Sequence, residues 1–504
     1  MSKVRAADYL RRESGVLLHP TSLPAPHGIG DLGTEARRFV DFLEAGGQRL
    51  WQVLPLVPVG HGNSPYAAPS AAGGNPLLIS LEILNKEGLL DESDLRPAPP
   101  LPADHVDYGA VAAFKMPLLR LAYQRFEADA TPSQRTEFDR FCQENGSWLD
   151  DYALFAALKE ANHGAPWTEW EWEIASRRPE ALERARHQLA EEIRFRKFLQ
   201  FQFTRQWRVL KRYANDRQVR IIGDLPIFIA LDSADAWARP EVFHLDEKGN
   251  PTVVSGVPPD YFSKTGQRWG NPLYRWDVLA SRGYDWWVER FRVTLAQVDL
   301  VRIDHFRGFQ ACWEIPARSK TAERGRWVQG PGERFFHALE EALGPLPVIA
   351  EDLGIITPEV EALRDRLGYP GMKVLQFAFG DDARNPHLPH NLERHCVLYT
   401  GTHDNDTTVG WFASCPPRVR AAVLRYLGTD GREIHWDLIR LALAAVADAA
   451  VIPLQDVLGL GSEARMNLPG HASGNWKWRF TSEQLKPELA TRLRELAVTY
   501  GRHQ

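Results

Sequence analysis

Short apolar runs that alternate with helical stretches are the feature that most constrains the fold of this chain. Runs of this kind, rich in Val, Ile and Leu and bounded by turn residues, are typical of strands buried on both faces. Eight occur, at residues 15–18, 50–54, 220–225, 300–304, 348–351, 373–377, 397–401 and 450–453. Helical patterns separate most of them, for example at 332–343, 358–367, 416–427 and 437–448. This alternation predicts an α/β protein with a (β/α)8 TIM barrel, for which 504 residues leave room for large insertions.

Uneven spacing of the predicted strands indicates insertions into one catalytic barrel domain that spans residues 1–504. About 160 residues separate the second and third strands, far more than one crossover needs. Residues 67–215 contain charged helical segments and a Pro-rich linker, so they predict a mainly helical subdomain after strand 2. Residues 227–287, after strand 3, are rich in Gly, Pro and aromatic residues without clear periodicity. We expect them to form a long loop over the active face that includes a cover for the site.

Composition and charge exclude several classes of function. Hydrophobic residues make up 44% and charged residues 25% of the chain, and its net charge of −5 favours neither nucleic acid nor an anionic membrane. The N-terminal sequence MSKVRAADYLRRESG lacks the apolar core of a signal peptide, and no run approaches the ~20 apolar residues of a membrane span. The four cysteines are Cys142, Cys312, Cys396 and Cys415, and their spacing is not that of metal ligands. We expect a cytoplasmic protein with reduced thiols, no cofactor, no metal and no obligate protein partner.

Three acidic motifs in the second half of the chain point to chemistry. They are VRIDHFRGF at 301–309, VIAEDLG at 348–354 and YTGTHDND at 399–406. Because the carboxyl ends of parallel strands meet at one barrel mouth, Asp304, Glu351 and Asp404 are expected to converge there. The strand period of two puts Arg302 on the face of Asp304, where a guanidinium favours the ionised carboxylate. The apolar run before Glu351 predicts a pKa raised by desolvation, as a general acid requires.

A carboxylate paired with a carboxylic acid suggests glycoside chemistry. Asp304 would attack an anomeric carbon while Glu351 protonates the leaving oxygen. A separation of about 5 Å predicts retention of configuration and one of about 6.5 Å or more predicts inversion, and the sequence leaves both open. His305 and the pair His403 and Asp404 are expected to contact sugar hydroxyls. Each motif alone also fits an ordinary strand ion pair, a helix N-terminal acid or a turn, and only their conjunction favours a site.

Several longer motifs resemble the sequence blocks of one known family. The motifs are HPTSLPAPHGIGDLG at 19–33, WQVLPLVP at 51–58, NSPYAAPSAAGGNP at 63–76, IIGDLPIF at 221–228, GVPPDYFSKTGQRWGNPLYRW at 256–276, and ARMNLPG with NWKWR within 464–479. By these motifs the chain resembles the 4-α-glucanotransferases called amylomaltase or disproportionating enzyme, glycoside hydrolase family 77, from about residue 15 to residue 479. The GDLPIFIA motif lacks the Asn-His pair that follows this aspartate in α-amylases. A calcium-dependent hydrolase is therefore a poor match.

The resemblance implies transfer of an α-1,4-glucan segment to the 4-hydroxyl of an acceptor glucose or maltooligosaccharide. In this family pattern Asp304 is the nucleophile, Glu351 the acid/base and Asp404 the transition-state stabiliser. The candidate substrate-binding residues are Tyr66, Asp224, Tyr261, Phe262, Trp269, Arg302, His305, His403, Asn467 and Pro469. Residues 259–269 would form a loop that covers the cleft, with Tyr261 and Phe262 steering the glucan across it.

Other functions remain open on the residues alone. A maltodextrin hydrolase would use the same three carboxylates and differ only in admitting water to the intermediate. An inactive glucan-binding protein would not need all three of them. A metal-dependent isomerase or aldolase needs clustered ligands or a lysine at a strand end, and neither appears at the predicted strand ends. Transferase and hydrolase are separated only by the resemblance, which favours the transferase.

Overall fold

Two sheets contain the strands of the described part of the chain. The computed structural model describes residues 9–96, 98–259, 263–471 and 473–503. The strands are β1 (Glu13–Leu17), β2 (Leu50–Gln52), β3 (Arg220–Pro226), β4 (Val253–Val257), β5 (Gln267–Pro272), β6 (Leu300–Asp304), β7 (Ala311–Pro316), β8 (Arg326–Gln329), β9 (Val348–Ala350), β10 (Gly371–Val374), β11 (Cys396–Tyr399) and β12 (Ala449–Pro453).

The larger sheet is a closed parallel barrel. Its strand order is β1-β12-β11-β10-β9-β6-β3-β2, with β2 returning to β1. These strands overlap the eight predicted runs, which confirms the (β/α)8 prediction. The predicted strand 373–377 is displaced, because β10 ends at Val374 and Leu375–Phe377 form a 3-10 turn. An apolar run alone does not distinguish a buried strand from the buried turn that follows it.

Apolar side chains from several strands pack together inside the barrel. Leu17, Leu50, Ile222, Leu300 and Ile349 belong to one fully buried cluster inside it. Such layers of branched side chains close the interior as a packed core and leave the carboxyl ends of the strands for polar groups. The barrel therefore supports the mouth from below with a rigid floor.

Helices surround the barrel and fill the connections. They are α1 (Thr34–Ala45), α2 (Leu81–Lys86), α3 (Tyr108–Asp129), α4 (Pro132–Glu144), α5 (Gly146–Ala161), α6 (Trp172–Ala175), α7 (Pro179–Gln188), α8 (Ala190–Asp216), α9 (Ala234–Ala238), α10 (Trp276–Ser281), α11 (Asp285–Gln297), α12 (Glu333–Leu343), α13 (Pro358–Leu367), α14 (Thr408–Ser414), α15 (Pro417–Leu427), α16 (Ile434–Ala444), α17 (Leu454–Leu458) and α18 (Pro487–Thr499). Within the described ranges, no helix is long and apolar enough to cross a membrane.

Local signals explain which helix predictions were accurate. Helices α13 and α15 each begin with a proline and end before a glycine in the left-handed region, Gly368 (φ 69°) and Gly428 (φ 67°). Proline fits the first helical turn and glycine the reversal after the last, so both ends are marked in the sequence. The helix predicted at 437–448 is instead α16, which ends at Ala444. Its apolar sequence runs on into β12 without a glycine or proline to mark the end.

Helices α2 to α8 lie between β2 and β3 in the chain. Aromatic rings join α3, α4 and α8, since Phe126 and Phe138 lie 5.5 Å apart and Phe126 and Phe198 lie 5.2 Å apart. Gln200 of α8 accepts the amide hydrogen of Gly74 at 2.6 Å and donates to its carbonyl at 2.9 Å. This pair of hydrogen bonds attaches the helices to the loop that follows β2. The subdomain boundaries 67–215 stay a prediction.

The smaller sheet was not predicted from the sequence. It is antiparallel in the order β5-β4-β7-β8 and joins strands from both sides of β6. Residues 227–287 therefore do not form one long loop, because they contain β4, β5, α9 and α10. The pairing of β4 with β7 bridges distant parts of the chain, and local periodicity carries no signal for it. The smaller sheet lies next to the barrel mouth, where Trp269 of β5 meets His305.

A buried arginine closes the seam between the first and last barrel strands. Arg502 is fully buried. Its guanidinium donates to the carbonyl of Glu13 at 2.9 Å and, at 2.6 to 3.0 Å, to the carbonyls of Leu443, Ala445 and Ala447. Five guanidinium hydrogens in a fixed fork suit several carbonyl acceptors at once. The side chain thereby links β1 to the segment that leads into β12.

Candidate active site

The carboxyl ends of neighbouring barrel strands bring the predicted acidic residues together. Strand β6 pairs with β3 on one side and β9 on the other, with Pro226 opposite Asp304 and Ala350 opposite Ile303. Asp304 therefore lies beside the end of β3, and by continuation of the register it is level with Glu351. The charge of Asp404, in the loop after β11, acts on Asp304 across the mouth.

Arg302 forms the centre of a buried ion network. It is 4% exposed, and its Nη1 donates to both oxygens of Asp224 at 2.7 and 2.8 Å, while Nη2 lies 3.1 Å from Asp304 Oδ1. The Tyr66 hydroxyl donates to Asp224 Oδ2 at 2.6 Å, and burial raises the pKa of this phenol, so it keeps its proton. The predicted position of Arg302 on the face of Asp304 is confirmed. One guanidinium thus contacts two carboxylates, and among the described residues one negative charge of the network is left without a cation.

Glu351 is held by backbone amides. Its Oε2 accepts from the amide of His305 at 2.6 Å and its Oε1 accepts from the amide of Leu353 at 2.9 Å. The side chain is buried at the end of β9. Amide donors favour the ionised carboxyl, but they supply only dipoles, whereas burial penalises the full charge.

Burial dominates the pKa values of both carboxyls. It raises the pKa of Glu351 to about 8, with Arg302 acting in the opposite direction. The upward shift predicted for Glu351 is confirmed. Burial also raises the pKa of Asp304 to about 6, because the lowering effect of Arg302 is smaller than the cost of desolvation. Arg302 favours the ionised form of Asp304 as predicted, but the expectation that this would leave Asp304 with a low pKa was wrong, although Asp304 remains the stronger acid of the pair.

Asp404 is the most exposed of the three carboxylates, with a side chain that is 47% accessible. Asn467 donates to its Oδ1 at 2.6 Å, and His403 Nε2 lies 3.3 Å from the same oxygen. Arg465 donates to the Asp404 carbonyl at 2.6 Å and to the Asn467 carbonyl at 2.7 Å. The C-terminal block therefore folds back onto the loop after β11 and fixes its carboxylate at the mouth.

Aromatic rings line two sides of the site. On one side Tyr66 stacks on His403 with ring centres 5.2 Å apart, and Trp476 lies 5.6 Å from Tyr66. On the other side Trp269 meets His305 edge to face at 4.8 Å. Trp269 is 40% exposed, so part of its ring faces solvent. Rings with one free apolar face are suited to packing against the faces of a sugar.

The remaining predicted residues differ in what the structure says of them. Tyr261 and Phe262 lie outside the described residues, so their steering role stays a prediction. Pro469 is exposed in the loop that follows Asn467. No group of three or more His, Cys, Asp or Glu side chains is arranged to hold a metal ion in the described parts of the chain.

Sequence reasoning missed two residues of the mouth. Trp476 packs on Tyr66 and His403, and although it lies in the quoted NWKWR motif, nothing in that motif separates it from Trp478. His19 follows β1 and is buried, and its pKa is lowered to about 3 first by this burial and then by its proximity to His403. The position of His19 one residue beyond a predicted strand end is the signal that could have identified it.

Comparison with known proteins shows the family of this chain. The family model described as 4-alpha-glucanotransferase matches residues 18–485. The chain belongs to the 4-α-glucanotransferase family. Its activity is that of a 4-α-glucanotransferase.

Relatives of the family match over nearly their whole length. The 4-alpha-glucanotransferase of Thermus thermophilus is 54% identical over 496 residues, which cover 97% of this chain and 98% of the relative. The one from Synechocystis is 53% identical, with 98% of each chain covered. Among solved structures, the amylomaltase from Streptococcus agalactiae in complex with acarbose superposes with a TM-score of 0.95 at 38% identity, covering 98% of this chain and 100% of the other. This chain and the solved amylomaltase therefore share the TIM barrel described above.

Proposed function

We propose that the chain transfers a segment of an α-1,4-glucan to the 4-hydroxyl of a glucose or maltooligosaccharide by retaining double displacement. The observation that carries the proposal is the placement of two carboxyls at adjacent strand ends, with Asp304 3.1 Å from the Arg302 guanidinium and Glu351 bound by two backbone amides. Desolvation raises the pKa of Asp304 to about 6 and that of Glu351 to about 8. Between these values Asp304 is ionised and Glu351 keeps its proton. One site then holds a nucleophile and an acid at the same pH.

The first half of the reaction forms a glycosyl-enzyme. An Asp304 oxygen attacks the anomeric carbon, the bond from that carbon to the leaving 4-oxygen breaks, and Glu351 gives its proton to that oxygen. Arg302 holds the Asp304 carboxylate in position through the contact at 3.1 Å. The leaving sugar departs with a free 4-hydroxyl, and Glu351 is left ionised between its two amide donors.

The second half returns both carboxyls to their starting states. An acceptor 4-hydroxyl gives its proton to Glu351 while its oxygen attacks the anomeric carbon, and the bond to Asp304 breaks. Two inversions at the same carbon retain the α-configuration. The protein thereby replaces one α-1,4 bond with another, and no glycosidic bond is hydrolysed.

Asp404 and the residues beside it stabilise the flattened sugar of the transition state. Asn467 and His403 both contact Asp404 Oδ1, so its second oxygen is available for sugar hydroxyls. Hydrogen bonds from an oriented carboxylate strengthen as positive charge develops on the ring. Tyr66 and Asp224 complete the subsite, with Asp224 tied to Arg302.

Transfer rather than hydrolysis requires that an acceptor sugar outcompetes water at ~55 M. Trp269, which packs on His305, and Tyr66, which stacks on His403, provide apolar surfaces for this purpose. The segment 259–269, with Tyr261, Phe262 and the solvent-facing Trp269, serves as the cover that limits access of water. A cytoplasmic location also belongs to this proposal, and it is supported by the four free cysteines Cys142, Cys312, Cys396 and Cys415.

Incubation with purified maltotriose tests the proposed reaction. We expect longer oligosaccharides and free glucose to appear by chromatography while the total number of reducing ends stays constant. Rising reducing ends with only shorter products would show hydrolysis instead. The same assay with EDTA is expected to give the same rate, because the proposed reaction uses side chains alone. A strong loss of activity with EDTA would contradict the proposal, because it would show that the reaction needs a metal ion.

A further inference from the structure

The residue after the nucleophile has an unusual backbone. His305 directly follows Asp304 and adopts φ 55° and ψ 49°, in the left-handed region. Only a few per cent of residues other than glycine have positive φ, and β-branched side chains are strongly disfavoured there. The conformation turns the chain sharply at the end of β6. With the chain on both sides held in place, this φ goes together with the orientation of the peptide between Asp304 and His305, because a flip of that peptide would reverse both. In the observed orientation the His305 amide points to the adjacent strand end and donates to Glu351 Oε2 at 2.6 Å.

Further backbone hydrogen bonds join the same two strand ends. The Glu351 amide donates to the Ile303 carbonyl at 3.0 Å, and the Phe306 amide donates to the Glu351 carbonyl at 3.1 Å. The His305 amide lies between these two bonds in the chain and is the one that reaches the carboxyl itself. The orientation of the acid is therefore tied to the backbone that carries the nucleophile.

The His305 ring makes separate contacts. It packs edge to face on Trp269 at 4.8 Å and lies 6.2 Å from Phe228. Its Nε2 is buried without a hydrogen-bond partner in the described structure, and burial lowers the pKa of the imidazole to about 3, so the ring is neutral. Nothing in these contacts involves Glu351. Backbone and ring can therefore be tested apart.

We propose that His305 is a positioning residue for the general acid, and that it acts through its left-handed backbone, which aims its amide at Glu351. The inference rests on the acid/base role of Glu351 proposed above and adds how that role is maintained. Each Glu351 oxygen already accepts one amide hydrogen. The acidic proton must therefore occupy a remaining lone pair, away from the amides and towards the leaving oxygen.

Three variants separate the backbone from the ring. His305→Gly and His305→Asn remove the imidazole, but both residue types adopt positive φ readily and keep the amide in place. His305→Val also keeps an amide but disfavours the left-handed conformation, so it shifts the donor away from Glu351. If His305→Val does not fold, His305→Ala replaces it, because alanine lacks the β branch but still disfavours this region.

The pH profile of kcat/KM is the first readout. An amide hydrogen bond stabilises the ionised carboxyl, so its loss raises the pKa of Glu351 further. We expect His305→Val to move the basic limb upward by about one pH unit and to lower kcat on maltotriose by roughly tenfold. His305→Gly and His305→Asn are expected to keep the basic limb at its wild-type position while KM rises. An equal shift in His305→Gly would overturn the proposal, because it would assign the effect to the ring.

A donor with a good leaving group provides the second readout. α-Maltosyl fluoride does not need protonation by Glu351, so single-turnover fluoride release by His305→Val should remain within about threefold of wild type. Equal loss on maltotriose and on the fluoride would show that the variant does not act through Glu351 and would refute the positioning role.

The two proposals fail in different ways. If Glu351→Gln keeps the wild-type basic limb on maltotriose, the acid/base role of Glu351 is wrong, whatever the His305 variants do. If that limb disappears in Glu351→Gln but does not move in His305→Val, the acid role stands and only the positioning role is refuted. Thermal unfolding of each variant verifies that the compared proteins are folded.

Discussion

Adjacent strands β6 and β9 lead to the two carboxyls with proposed catalytic roles, and these carboxyls are held by different means. At the end of β6, Asp304 faces the Arg302 guanidinium at 3.1 Å, and at the end of β9, Glu351 is bound by two backbone amides. Burial raises the pKa of both groups, to about 6 and about 8. Desolvation is the largest cause of both shifts, the Arg302 guanidinium lowers both pKa values, and the negative charge of Asp304 raises that of Glu351.

This comparison shows that the division of roles depends on residues around the two acids. Arg302 lowers the pKa of both carboxyls, but it makes a direct ion pair with Asp304. Asp224 holds the other side of the same guanidinium at 2.7 Å. Changing one acid, the other, or the shared network should therefore have effects of different size and kind.

The largest effect is expected for removal of the nucleophile. Asp304→Asn keeps the shape of the side chain but cannot form the glycosyl-enzyme, so transfer from maltotriose should fall by at least roughly 10⁴-fold. Binding of a maltooligosaccharide, measured by calorimetry, should persist because the aromatic contacts are unchanged. Substantial remaining turnover would exclude Asp304 as the nucleophile.

The effect of removing the proposed acid should depend on the donor. Glu351→Gln removes the proton that the leaving oxygen needs, so turnover of ordinary glucans should fall by about 10²–10⁴-fold. Single-turnover fluoride release from a glycosyl fluoride should remain near the wild-type rate, because fluoride leaves without protonation. Similar loss with both donors would be evidence against the acid role.

A change in the ion network of Asp224, Arg302 and Asp304 should affect mainly the acid limb of the pH profile. The negative charge of Asp224 raises the pKa of Asp304, so Asp224→Asn should move the acid limb of kcat/KM to lower pH by about one unit. The basic limb, set by Glu351, should move less. Glu13→Gln is a matched control, because Glu13 is a buried carboxylate paired with Arg220 at the amino-terminal end of β3, away from the mouth. A shift of both limbs by the same amount in Asp224→Asn would show that the two carboxyls titrate as one unit.

The smallest effect concerns stability. The pKa of Glu351 is raised in the folded state from 4.5 to about 8, so its contribution is fully present below about pH 4.5 and is lost as the pH rises to about 8. Glu351→Gln cannot ionise, so its Tm should fall less between pH 5 and pH 8 than that of the wild type. The gain at pH 8 should be on the order of 1–3 kcal/mol in the free energy of unfolding. Parallel Tm profiles for the two proteins would contradict the raised pKa.

The barrel strands and the three carboxylates were predictable because each is encoded locally. Short apolar runs mark buried strands, and an acid directly after such a run must lie at the mouth once the strands are parallel. The direction of the Glu351 pKa shift followed from the same run. The net pKa shift of Asp304 could not be predicted from the sequence. The sequence shows that Arg302 and Asp304 are neighbours on one strand face, but the extent of their desolvation depends on the rest of the fold.

Features built from distant segments were not predictable. The smaller sheet combines β4 and β5 with β7 and β8, although β6 and the helices before it lie between these strands in the sequence. Trp476 reaches the site only because the C-terminal block folds back on the loop that holds Asp404. The left-handed backbone of His305 is likewise invisible in the sequence, since histidine carries no strong preference for it comparable to that of glycine.

The seam at Arg502 has a consequence for how the protein is made. Until β12 and Arg502 have been synthesised, the barrel sheet has two open edges, β1 and β11, which expose unpaired amides and carbonyls. Open edges of this kind can pair with other chains. Closing them joins residues at opposite ends of the sequence, which makes this contact slow to form. Nascent chains therefore pass through a period in which these two edges remain open to pairing, and it ends when the first and last strands meet.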